Sequence, residues 1–175
     1  VIVTNPVIEE LYGAVIKQSL NNCGFEVTIL KVPEGEEQKS LQNASVLYGE
    51  LSNCHAERTT PILALGGGVI GDLAGFVAAT YLRGVPFIQI PTTLLAQVDS
   101  SVGGKVAIDY NKLKNKIGAF YQPKLVVTDI ETLHTLPKRD IVNGMAEIIK
   151  HALIWDKKLF DYITSNINKI KMLDA

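Results

Sequence analysis

Gly66, Gly67, Gly68 and Gly71 stand at the spacing G-x-G-x-x-G, directly after the apolar run from Pro61 to Leu65. That pattern suits a phosphate. Glycines let the main chain approach closely, and the free amides of a helix start attract negative charge. It suits equally a glycine turn that packs a helix tightly on a sheet. In the usual dinucleotide fold the pattern follows the first strand, with an acidic residue about 20 positions later. Here it follows a later strand, and the next one stops at Pro91 with no acid. Asp72 sits where a helix dipole favours a carboxylate, whether as a ligand group or as a simple helix-start charge.

The segment from Pro91 to Lys105 is the most unusual. It holds Thr92, Thr93, Asp99, Ser100, Ser101, the pair Gly103 and Gly104, and Lys105. These lie just beyond a strand, at the edge where open α/β sheets bind ligands. Long polar loops are uncommon unless functional, so the reading favours a site here. Lys112, Lys114, Asn115 and Lys116 form a basic cluster that is either an anion site or a solvated surface. Glu147 and His151 are four apart on an expected helix and share a face, as two metal ligands would. A surface pair serves that spacing as well, and Lys150 is one turn from Glu147 for an ion pair. His55 and His134 have no partners at metal-like spacing, and nothing completes a three-ligand metal site.

These residues need elements to position them. Val1 to Thr4 reads as a strand. Asn5 caps a helix with Pro6 at its first position, Leu11, Val15, Ile16 and Leu20 follow at helical spacing, and Gly24 ends it. Glu26 to Leu30 is a second expected strand, with Val27 and Ile29 on one face. Ser40 caps a helix whose apolar side carries Val46, Leu47 and Leu51. The run from Pro61 to Leu65 suits a strand covered on both faces, and a small-residue helix follows from about Val69 to Thr80. Phe87 to Ile90 and Leu125 to Thr128 complete the strands. Alternation at this spacing predicts a parallel α/β sheet with right-handed crossovers.

After Pro137 the character changes. Ile141, Met145, Ile148, Ile149, Ala152 and Leu153 fall on one helical face. Leu159, Phe160, Ile163, Ile167 and Ile170 do the same in the next segment. The expected organisation is an α/β domain over residues 1–137 and the opening of a helical domain over 138–175. These apolar faces need partners.

The 175 residues are 47% hydrophobic and 20% charged, with a formal net charge of -1. That is ordinary globular composition, and no basic balance or charge run points to nucleic acid. No stretch is long and apolar enough to span a membrane as a helix. Cys23 and Cys54 have no paired spacing and read as free thiols of a reducing compartment. The sequence begins at Val1 without the layout of a signal peptide. It is expected to be cytoplasmic and to begin inside a longer chain.

Taken together, these segments resemble the 3-dehydroquinate synthase family over nearly the whole chain. The resemblance is carried by Leu65 to Phe76, Arg83 to Val85, Pro91 to Lys105, Lys114 and Asn115. It continues through Ile117 to Pro123, Thr135 to Pro137 and Asn143 to Lys150, and upstream through Pro33 to Ser40. The long middle segment is far more specific than any glycine pattern. The sequence departs from the family's pattern at Asn5, where some members carry Asp, and at Leu113, where a glycine is common.

The resemblance implies a lyase. The family converts 3-deoxy-D-arabino-heptulosonate 7-phosphate to 3-dehydroquinate and phosphate, in the shikimate route to aromatic compounds. It uses tightly held NAD+ and a divalent metal, zinc or cobalt. An alcohol is oxidised, phosphate leaves, the ketone is reduced again, and the ring opens and recloses by an aldol step. By resemblance, NAD+ is expected at Asn5, Glu36, Lys39, Gly67, Gly68, Asp72, Thr92, Thr93, Asp99, Ser100, Lys114 and Thr135. Substrate contacts are expected from Asp99, Lys105, Lys114, Asn115 and Lys150, with Arg83 reaching across a homodimer interface to the partner's phosphate site. Lysine and arginine suit a substrate with carboxylate and phosphate. Glu147 is expected as one metal ligand, the other two being histidines of the following helical domain; His151 matches neither.

Two other readings stand beside this one. The first is another ring-closing enzyme of the kind that makes 2-deoxy-scyllo-inosose, or a metal-dependent alcohol dehydrogenase of related fold. The second is an NAD-binding and dimerisation fragment with no activity, because the metal site is incomplete.

Overall fold

The computed structural model describes residues 1–172; the last three residues of the expected helical domain lie outside them. The chain opens with β1 (Ile2–Thr4), and Asn5 caps the helix that follows by accepting from the Ile8 amide at 2.8 Å. Helix α1 (Pro6–Ile8) runs through a π-helical turn, Glu9–Gly13, into α2 (Ala14–Asn22). Strand β2 (Ile29–Lys31), helix α3 (Leu41–Asn53), strand β3 (Ile62–Gly66), helix α4 (Gly68–Thr80) and strand β4 (Phe87–Pro91) follow. A second β-unit, β5 (Lys105–Tyr110) and β6 (Leu113–Phe120), precedes the short β7 (Leu125–Val126). The chain continues in helices α5 (Lys138–Trp155) and α6 (Lys157–Met172).

Five strands form one parallel sheet in the order β2-β1-β3-β4-β7. Ile2 pairs with Ile29 on one side and Leu63 on the other, and Leu63 continues to Ile88. The central strands are covered on both faces, as a parallel sheet requires, whereas the edge strand β7 is only two residues long, shorter than the expected Leu125 to Thr128, and leaves Leu125 and Val126 exposed. Val3, Ile62, Ala64 and Phe87 pack with Leu47, Leu51, Leu73 and Val77. On the other face Ile2, Leu63 and Leu65 meet Ile8, Tyr12, Ile16 and Leu20. Each fully buried aliphatic side chain contributes roughly 1.5–3 kcal/mol.

Several expectations shift. The second strand starts later than Glu26, because pairing with β1 begins only where the Ile2 amide donates to the Thr28 carbonyl. Helix α3 buries Ala44, Leu47 and Leu51, and Val46 turns outward at 52% exposure. Leu153 is likewise exposed, while Ile141, Gly144 and Ala152 are the buried residues of α5. The segment from Pro91 to Lys105 is less of a loop than expected: a π-helical turn, Ala96–Ser100, occupies its centre.

The larger surprise is the antiparallel hairpin of β5 and β6. Its connection is Asn111 and Lys112, both left-handed (φ 49° and 64°), as the favoured two-residue hairpin turn demands. Leu113 enters β6 outside the left-handed region, opposite Tyr110, so a side chain fits there without strain. β5 lies on α4 so closely that a Cβ at Gly75 would run into Val106.

Candidate active site

The strand order reverses around β1: the chain passes from β1 to β2 on one side and returns to β3 on the other. Such a switch point opens a crevice at the carboxyl ends of the strands. A groove of about 370 Å3 lies there, lined by Asn5 after β1, Gly35 after β2, Gly67 and Gly68 after β3, and Thr92 and Thr93 after β4. Thr135 and Pro137 close its far side. The buried Thr4 hydroxyl ties β1 to β3 by donating to the Leu65 carbonyl at 2.8 Å.

Two features mark this groove for a phosphorylated ligand. Helix α4 starts at Gly68 with no side chain capping its first amides, so those donors remain for an anion. The Thr92 hydroxyl is buried with no hydrogen-bond partner, a costly state that a bound polar group would relieve. Space above the glycines is tight: a Cβ at Gly67 would lie 3.1 Å from Thr93 Cγ2, and one at Gly68 3.2 Å from Ser100 Oγ. The residues present therefore fit a dinucleotide.

Ser100 belongs to a second cleft, so the two meet across Gly68. That cleft, about 420 Å3, is lined by Asp72, Asp99, Ser100, Lys105, Asn115 and the β6 residues Gly118 to Phe120. Behind it lies Lys39, only 4% exposed. Its Nζ donates to Asp72 Oδ2 at 2.7 Å and to Asn115 Oδ1 at 2.5 Å. Glu36 lies 3.8 Å from Lys39 and 3.2 Å from Lys114. Burial raises the Asp72 carboxyl above its ordinary range, against the opposing pull of Lys39.

Other expected site residues lie apart. Lys150 donates to Glu147 Oε1, and His151 Nε2 sits 3.2 Å from the same oxygen. The Lys150 hydrogen bond holds the Glu147 carboxyl below its usual range. Among the described residues no group of three His, Cys, Asp or Glu comes together, so these residues do not by themselves make a metal site. Lys150 and Glu147 line neither cavity, although α5 approaches the site where Gly144 packs on Leu94. Arg83 is exposed beyond the far end of α4, roughly 20 Å along the helix from Gly68 at 1.5 Å per residue. It lines neither cavity.

Three contributors escaped sequence reasoning. Asp109 donates its amide to the Lys39 carbonyl at 2.7 Å and accepts from the Asn115 amide at 2.8 Å. Gln97 Nε2 donates to the carbonyls of Pro91 and Asp129 and to Thr132 Oγ1, tying the end of β4 to the segment that leads to Thr135. The Tyr12 hydroxyl bonds that of Thr135. The alternation of Val106, Ile108 and Tyr110 before Asn111 was the available signal for the hairpin.

The fold and its crevices define a parallel α/β nucleotide-binding unit. Comparison with known proteins narrows this. A model of the 3-dehydroquinate synthase N-terminal region matches residues 29–143, and the chain belongs to the 3-dehydroquinate synthase family. It is 54% identical to the 3-dehydroquinate synthase of Desulforamulus reducens, over 99% of this chain and 48% of that protein. The chain spans about half the length of the curated relatives it matches. Among solved structures it resembles 2-epi-5-epi-valiolone synthase from Streptomyces hygroscopicus with NAD+ and Zn2+ bound (TM-score 0.92, 30% identity, 98% of this chain and 48% of that one). It also resembles a 2-deoxy-scyllo-inosose synthase complexed with carbaglucose-6-phosphate, NAD+ and Co2+ (TM-score 0.83, 32% identity, 87% of this chain and 42% of that one). No helix among the described residues is long and apolar enough to cross a membrane.

Proposed function

We propose that this chain is the NAD+-binding part of a 3-dehydroquinate synthase, the lyase that turns 3-deoxy-D-arabino-heptulosonate 7-phosphate into 3-dehydroquinate and phosphate. The observation that carries the reading is the meeting of groove and cleft across Gly68 and Ser100. A cofactor lying over the glycines would have one end beside a pocket suited to an anionic substrate. NAD+, when bound, supplies the hydride acceptor.

Gly67 and Gly68 bring main-chain amides to the cofactor's phosphates, and Thr92 offers its unpaired hydroxyl. Asn5, Thr93 and Thr135 line the rest of the groove. Glu36 and Asp72 accept hydrogen bonds, as ribose hydroxyls require. Lys105, Lys114 and Asn115 supply cations and an amide for phosphate and carboxylate oxygens, and Asp99 an acceptor for a substrate hydroxyl. Glu147 would be one ligand to a zinc or cobalt ion, and Lys150 stands beside it. Helices α5 and α6 open a second, helical domain, and Arg83 serves the partner's cleft in a homodimer.

Because the metal ligands are incomplete, the 175-residue chain is expected to release no phosphate from the heptulosonate phosphate; metal-dependent release by it would refute this. Calorimetry with NAD+ tests the cofactor site. Saturable one-to-one binding supports the reading, while no binding by this chain or by a protein of the relatives' full length overturns it.

A further inference from the structure

Asn115 occupies an unusual place in β6. Between the pairs Ile108–Ile117 and Tyr110–Leu113, β5 has Asp109 alone, while β6 has Lys114, Asn115 and Lys116. The extra residues bulge out, and Asn115 takes a left-handed φ of 53°. Bulges re-aim side chains beside functional sites. What holds this one is a closed ring of hydrogen bonds. The Lys39 carbonyl accepts from the Asp109 amide at 2.7 Å, Asp109 Oδ1 accepts from the Asn115 amide at 2.8 Å, and Asn115 Oδ1 accepts from Lys39 Nζ at 2.5 Å.

The chemistry of that ring settles which way the carboxamide points. A lysine ammonium has three donors and no acceptor. Asn115 must therefore turn its oxygen to Lys39, which leaves the two N–H groups of Nδ2. Among the described residues these have no protein partner, and Asn115 lines the cleft. Without Lys39 the carboxamide has no reason to prefer one orientation, and the flipped form would set an oxygen against an anion.

We infer that Lys39 is a positioning residue: buried behind the cleft, it locks the Asn115 carboxamide as a donor toward an anionic oxygen of the substrate. The inference rests on the proposed anion-binding role of the cleft, and it makes that role depend on a lysine that does not line the cleft. Asp72 shares the same ammonium, so one residue holds both a donor and an acceptor of the cleft lining.

Nuclear magnetic resonance of the Asn115 side-chain amide tests this directly, with inorganic phosphate as the probe. In the unaltered chain the two Nδ2 protons should be rigid and should shift as phosphate is added. Lys39→Met, which keeps the aliphatic stem, should make that amide mobile and weaken phosphate binding about tenfold, the loss of one charge-assisted hydrogen bond. Lys39→Arg should restore both. If Lys39→Met leaves the amide rigid and its resonances unmoved, the positioning role is wrong. If phosphate moves no cleft resonance in any form, the anion-binding reading fails, while the mobility of the amide still decides the role of Lys39. Should Lys39→Met not fold, Asn115→Asp gives a second test. It keeps the oxygen on Lys39 but has no donors, so it should fold and lose phosphate binding; unchanged phosphate affinity would overturn the inference.

Discussion

Gly68→Val separates the cofactor site from the fold. Gly68 is the first residue of α4, with no capping side chain before it, and its own Cβ would stand 3.2 Å from Ser100 Oγ. Valine adds a Cβ and two methyls at the point where groove and cleft meet. They would cover the amides that a diphosphate must reach. Hydrogen bonds to charged groups contribute about 1.5–3 kcal/mol each. Losing two, at the lower end, is ~3 kcal/mol, or an affinity for NAD+ reduced about 100-fold. The fold should notice little. Valine is no worse than glycine inside a helix, and the small displacement of Ser100 costs on the order of 1 kcal/mol. Calorimetry should show the loss of binding while urea denaturation moves by no more than about 1 kcal/mol. A variant that binds NAD+ as tightly as the parent would remove the glycine turn from the cofactor site.

Four further perturbations probe other links. Thr92→Val replaces a buried hydroxyl that has no partner with an isostere, so thermal denaturation should show a gain of roughly 1 kcal/mol while NAD+ binding weakens. Gly75→Ala drives a methyl into Val106 with Phe87 Cε1 at 3.0 Å; denaturation should show a loss of about 1–3 kcal/mol from overpacking. Gly49 in α3 has nothing within 4 Å of a built Cβ, so Gly49→Ala should gain roughly 0.5–1 kcal/mol and leave NAD+ affinity unchanged. Asp72 is raised from 3.8 by burial, so it holds its proton more tightly folded than unfolded. Its protonation stabilises the fold fully below 3.8, and that increment disappears as pH rises through the raised value. Denaturation of the unaltered chain and of Asp72→Asn across this range should show the difference, and a Cγ titration midpoint at or below 3.8 would contradict it.

Much of the scaffold was legible. Alternating apolar runs gave β1, β3 and β4, because each is short, largely buried and stopped by glycine, proline or the Asn5-Pro6 pair. Asn5 and Ser40 each cap as expected, since an N-cap acts on an amide three residues away. The glycine pattern and the polar segment were visible as a candidate site for the same reason: their chemistry is written in contiguous residues. Val46 and Leu153 were misplaced because helical periodicity marks an apolar arc without saying where the sheet or a neighbouring helix stops covering it.

The sequence by itself determined the elements, their parallel class and the residue types at the carboxyl ends of the strands. Only the tertiary structure decided the strand order that makes a crevice between β1 and β3, and the hairpin that walls the second cleft. It alone decided that Lys39 meets Asp72 and, 76 residues away, Asn115. Periodicity and capping are local, acting over a few residues. Strand order, a bulge that brings Asn115 to Lys39 and a buried lysine that finds two partners are set by packing between distant segments, and no spacing along the chain encodes them.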